Sequence, residues 1–166
     1  MRRDGSTSAD EQEALDALAR AGASMIEGLA AVLPDWAQGR AAVLLEAWGS
    51  HTEHERRVIE DRARRAGADA AERVSRVLTE FFALDPDEHT LTPLQIIRTA
   101  HREVTDVLRS AGVPPVVRDA FDERAEPDDD YDLVVRTLAD FGDEALAGLH
   151  LRWGAAKARV HKIRRG

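Results

Sequence analysis

A chain of 166 residues has room for one domain with a real core. Its lack of cysteine excludes disulfides, iron–sulfur ligation and a thiol nucleophile, and leaves any zinc site to histidine and carboxylates. With 43% apolar residues, 33% charged residues and a net charge of −8, the composition is neither that of a disordered chain nor that of a membrane protein, and no unbroken apolar run approaches the roughly 20 residues of a bilayer span.

The opening MRRDGSTSAD carries arginines with no apolar stretch behind them, which argues against a secretory signal and for a cytoplasmic protein. Residues 1–9 are small and polar and read as a flexible terminus ahead of a single domain over 10–166. A first helix is predicted from Asp10 to Leu33, with Leu15, Leu18, Gly22, Met25, Leu29 and Val32 on one face and Pro34 as its stop. Gly22 and Gly28 each cost a helix about 1 kcal/mol relative to Ala, so a neighbouring backbone is expected to pass close there. A second helix follows from Trp36 through Ala41, Leu44 and Leu45 to Trp48, ended by Gly49–Ser50. Over 51–83 a stripe of Val58 or Ile59, Ala63, Ala66, Ala70, Val74, Val77 and Phe81 predicts one helix with a weak point at Gly67. The alternative is two helices, the second capped by Asp69 and Glu72.

Leu84–Leu91 reads as a polar turn around Pro86, leading into the stretch with the clearest signals, Leu91–Phe121. There Thr92 can cap a helix, Pro93 suits its first position, Leu94, Ile97, Ala100, Val104, Val107 and Ala111 form its stripe, and Gly112 with Pro114–Pro115 ends it. This is read as the central helix of the fold. A short helix is expected over Val116–Arg124, an acidic loop over Ala125–Asp132, and a helical turn over Leu133–Phe141 anchored by Leu133, Leu138 and Phe141. The last helix starts at Gly142 or Asp143 and repeats Leu146, Leu149, Trp153, Ala156, Val160 and Ile163 at steps of three and four. No run reads as a strand. The expected fold is all-α, a single bundle of about four to six helices with heptad-like stripes.

Four groupings could carry chemistry. His51 and His54 stand one helical turn apart beside Glu55 and could share a metal, although no histidine has the Glu three residues before it that di-metal carboxylate bundles need. Asp128–Asp132 contains the letters DDxxD and acids at alternate positions. It lacks the Gly and Glu of a calcium loop and reads as a solvated loop, or one in which Asp132 caps the following turn. Glu103 and Asp106 form an ExxD pair of the kind with which all-α nucleotide pyrophosphohydrolases hold Mg²⁺, without the companion EExxE.

The fourth grouping is the basic end. From Leu151 onward six bases stand without an acid, so residues 1–150 hold 17 bases against 31 acids, a balance of −14. Arg152, Lys157, Arg159, Lys162 and Arg164 could meet an anionic partner such as RNA. They could instead complement the helix dipole, or fold back to neutralise the acidic loop at 126–132. No phosphate loop, nucleophile elbow or triad pattern is present, and no catalytic residue or cofactor is assigned.

The run GVPPVVRDAFDERAEPDDDYDL, followed by WGAAKARVH, resembles a segment shared by uncharacterised helical proteins of high-GC bacteria. The resemblance covers about the last half of the chain and carries no activity with it. The expected function is a non-enzymatic protein–protein interaction module, an adaptor, regulator or complex subunit with a protein partner or a second copy of itself. The competing readings are an RNA- or ribosome-associated binder acting through the basic end, and a Mg²⁺-dependent nucleotide hydrolase.

Overall fold

The computed structural model describes residues 7–119 and 126–166, and these are all-helical, with no strand among them. The chain is organised around its first helix, not around the stretch from Leu91. Helix α1 spans Ala9–Trp48 and packs along α2, Glu53–Ala83, and against α5, Glu144–Arg165. Ser8 caps α1 by accepting the Glu11 amide at 3.1 Å, and Gly49 ends it in the left-handed region, φ 71°.

Pro34 does not stop α1, so the two predicted helices are one. Proline removes one backbone hydrogen bond and crowds the preceding turn, a local cost of about 3 kcal/mol. Against it stands a burial pattern that crosses the proline without changing phase: Met25, Leu29, Leu33, Ala37, Ala41 and Leu45 recur every four residues and are almost completely buried. Breaking the helix at Pro34 would forfeit the second half of that stripe.

Helix α2 is also continuous. Thr52 opens it with a capping box, its amide donating to Glu55 Oε2 at 2.8 Å while its hydroxyl accepts the Glu55 amide at 3.2 Å. Gly67 is not a weak point but a place of close approach by α1. A Cβ there would lie 2.5 Å from the Leu33 carbonyl oxygen and 2.7 Å from Ala37 Cβ. Asp69 and Glu72 lie within the helix and cap nothing. Leu78 takes the buried position expected of Val77, which is 40% exposed. The close neighbours of Gly22 and Gly28 are side chains, not the backbone expected: the Phe82 ring and Leu146 Cδ1, at 3.0 and 3.2 Å from an added Cβ.

After a 3-10 turn at Pro86–Glu88 come α3, Pro93–Ile97, a tightened turn at Arg98–Ala100, and α4, His101–Ser110. Thr92 caps the helix as expected, with Gln95 completing a capping box, and Gly112, φ 75°, is the expected stop. Ile97, Ala100 and Val104 are buried as predicted, with Ile96 and Leu108 in place of Leu94, Val107 and Ala111, which are half-buried. Beyond Gly112 the described backbone has no regular secondary structure, so Val116–Asp119 are not helical as expected; the rest of that predicted helix lies outside the described residues. Pro114–Pro115 favour extended backbone, and the Val116 amide donates to the Asp130 carbonyl at 2.8 Å instead of starting a turn.

The anchors Leu133, Leu138 and Phe141 are buried, the last two in a 3-10 turn spanning Leu138–Phe141. Asp143 caps α5 by accepting the Leu146 amide at 2.9 Å. Helix α5 runs antiparallel to the first half of α1, with Leu146 beside Gly28 and Arg159 beside Glu13. Two clusters make the core. One joins the first half of α1, the end of α2, α3 and α5 around Leu29, Leu78 and Trp153; the other joins the second half of α1, the start of α2 and α4 with Tyr131 and Leu133.

One helix departs from the expectation that no segment could span a bilayer. By length and composition alone α1 is long and apolar enough, with mean hydropathy 1.2 over its most apolar window. It is the core helix of the bundle described above.

Candidate interaction surface

The sequence-predicted metal ligands do not form a metal-holding group: no group of three or more His, Asp or Glu side chains among the described residues could hold an ion. Glu103 is claimed by Arg73, whose Nε and Nη2 grip both carboxylate oxygens while the same guanidinium donates to the Thr99 carbonyl at 2.7 Å. Burial pushes the Glu103 carboxyl up, but the Arg73 hydrogen bond and a backbone amide outweigh it and leave the group below its ordinary range. Its neighbour Asp106 is exposed. His51 lies before α2 with its ring edge-to-face on Trp48, centroids 4.0 Å apart, while Glu55 is held in the Thr52 capping box.

The acidic run is a loop whose Glu126, Asp128 and Asp132 are exposed as expected, but it is anchored by two buried side chains. Asp129 is 3% exposed and accepts the Leu133 and Val134 amides at 2.7 and 2.8 Å, the capping role expected of Asp132. Tyr131 is buried and donates to the Val113 carbonyl at 2.7 Å. Asp132 points outward from a left-handed backbone, φ 56°. The cations that meet this run come from the middle of the chain: Arg98 pairs with Glu126, Arg109 with Asp130 and Arg118 with Asp129 and Asp132.

The basic end does fold back on acids, though not on residues 126–132. Arg164 reaches Glu11 at 2.8 Å, Asp85 at 2.6 Å and Asp87 at 2.8 Å. His161 lies 2.6 Å from Asp87, and Arg159 lies 2.9 Å from Glu13. The Arg164 hydrogen bond, aided by the Asp87 amide, lowers the Asp85 carboxyl to about 2. Lys157 sits over the Trp153 ring, 5.4 Å from its centroid. Arg152 and Lys162 are exposed and make no ion pair among the described residues.

Arg152 and Arg159 also edge a furrow of about 580 Å³ between α1 and α5. Its floor is short side chains, Ala14, Ala17 and Ala21 from α1 with Ala155 and Ala156 from α5, because alanines at these positions leave unfilled the space that larger residues would occupy. Arg20 stands on the opposite edge, exposed and with no ion pair among the described residues, and no acid lines the furrow. Sequence reasoning missed Arg20. The repeat of small residues at 14, 17, 21 and 24 was a signal for a flank that its own helix leaves open. No protein-family model matches the chain, and comparison with curated proteins and with solved structures gives no match.

Proposed function

We propose that the chain is a non-enzymatic protein–protein interaction module, an adaptor, regulator or complex subunit, whose partner lays an acidic amphipathic helix into the furrow between α1 and α5. The observation that carries this reading is the chemistry of the furrow: a floor of alanines that lets a helix backbone approach, edged by Arg20 and Arg152, which make no ion pair among the described residues, with Arg159 beside them already paired to Glu13. Helix-in-groove recognition needs an apolar stripe at helical spacing on the guest and complementary charge along its flanks. A positive furrow on a chain of net charge −8 selects such a guest against the protein's own average surface. RNA binding through the same helix is the weaker reading, since Arg159 and Arg164 are already spent on carboxylates within the chain.

The test is affinity recovery of the tagged protein from lysate, with and without nuclease and high salt, beside an Arg20→Glu/Arg152→Glu double variant. Both arginines are exposed, so the variant retains the fold. The expected result is a stoichiometric partner that survives nuclease, is lost with the double variant, and contains an acidic amphipathic segment that binds as an isolated peptide. Equal recovery by the double variant, or bound material that vanishes with nuclease, overturns the proposal.

A further inference from the structure

A second concavity, of about 520 Å³, lies between the end of α1, the first turns of α2 and Ala111 beyond α4. That size is within the range of small-molecule sites, roughly 300–1,000 Å³. Its lining divides by chemistry. Trp48, Val58, Ile59 and Ala111 make an apolar wall, in which Val58 is 44% exposed. His51, His54 and Arg62 bring nitrogen donors, and Arg62 makes no ion pair among the described residues. Along α2, residues 55, 58, 59 and 62 share one face, so the apolar and cationic parts are held side by side on a rigid helix.

The acid that lines the groove, Glu55, is turned toward the helix start. Its Oε2 accepts the Thr52 amide at 2.8 Å and the Thr52 hydroxyl at 3.0 Å. One of its oxygens is therefore held at the first turn of α2, and it makes no ion pair with Arg62, while its negative charge acts on His51 and His54. We propose that this groove binds a small amphipathic carboxylate, its hydrocarbon body on Trp48, Val58 and Ile59 and its carboxylate on Arg62 with His51 and His54. A guanidinium pairs with a carboxylate through directed, charge-assisted hydrogen bonds, whereas an alcohol of the same length offers only its apolar body and a neutral hydroxyl. This site is at the far end of α1 from the furrow and is independent of the partner proposed for it.

The matched probes are octanoate and octanol, titrated into the full chain below their aggregation thresholds and read by ¹H–¹⁵N chemical shifts. Octanoate is expected to bind with Kd on the order of 1 mM, shifting the Trp48 indole and Ile59 amide signals, and octanol at least ~5-fold more weakly. Arg62→Gln should weaken octanoate by a similar factor and leave octanol unchanged. Val58→Glu, which sets a negative charge at an exposed position of the wall, should abolish octanoate binding while the thermal melt is preserved. No shift at Trp48 and Ile59, equal binding of the two probes, or indifference to both substitutions overturns the proposal.

Discussion

Of the four aspartates in the run from Asp128 to Asp132, Asp129 alone is buried, and its two oxygens satisfy two backbone amides that have no other described partner. Asp129→Ala would strand both amides and remove the carboxylate that lies 3.9 Å from Arg118. A buried donor left unpaired costs about 1–3 kcal/mol, so the substitution should lower unfolding free energy by about 2–4 kcal/mol in a urea titration. Tyr131→Phe removes one hydrogen bond to the Val113 carbonyl and keeps the ring, and should cost about 1 kcal/mol. Asp132→Ala, at an exposed side chain, should stay within about 0.5 kcal/mol apart from the left-handed backbone it must still adopt. If Asp129→Ala and Asp132→Ala proved equally mild, the segment would not be anchored as described. Nothing in the letters of DDDYD distinguishes these aspartates; what does is the fold of the segment, which brings the Leu133 and Val134 amides to Asp129.

At the scale of helices, glycines that look alike in sequence differ in what surrounds them. Gly67→Ala gains about 1 kcal/mol of helix propensity but drives a methyl to 2.5 Å from the Leu33 carbonyl, a backbone atom that cannot step aside. Gly39→Ala gains the same propensity with nothing within 4 Å. Thermal melts should show Gly39→Ala stabilised by about 0.5–1 kcal/mol and Gly67→Ala destabilised by at least ~2 kcal/mol. A stabilised Gly67→Ala would mean that α1 and α2 do not meet there. Much of the architecture was legible in the chain: the all-α class, the cap at Thr92, the start of the last helix at Asp143 and the stop at Gly112 are local chemistry, and local chemistry is written in neighbouring residues. Pro34 was misjudged because its cost is local while the burial that outweighs it lies on a partner helix. Both concavities were hidden for the same reason, since Arg20 and Arg152 come to edge one furrow, and Arg62 and Ala111 to line one groove, only after the helices have been laid side by side.

Across the whole molecule, acid should act in two separate steps. His89 is stacked on Phe81, and its Nε2 donates to the Phe81 carbonyl at 2.9 Å. Burial pushes its proton affinity down, as burial alone does for His150. A histidine whose folded-state pKa lies below its unfolded value contributes stability above the unfolded value, near 6.5, and loses it as pH falls, because the unfolded chain then binds more protons. Asp85, lowered to about 2 chiefly by Arg164, behaves as a stabilised carboxylate: its contribution is complete above about 4 and disappears between there and about 2. Stability measured by denaturant titration should therefore decline first from pH 7 to 5 and again from pH 4 to 2. His89→Gln should shrink the first decline, leaving the part that His150 contributes, and spare the second. Arg164→Gln should shrink the second, leaving the part owed to Glu103 on Arg73, and should also lower stability at pH 7, since it leaves Glu11, Asp85 and Asp87 gathered without their shared cation. That cation ties the start of α1 and the turn after α2 to the end of α5. Its loss should accordingly speed amide hydrogen exchange in the last turns of α5 while the Ala37–Leu45 segment, buried against α2 at the other end of the bundle, keeps its protection.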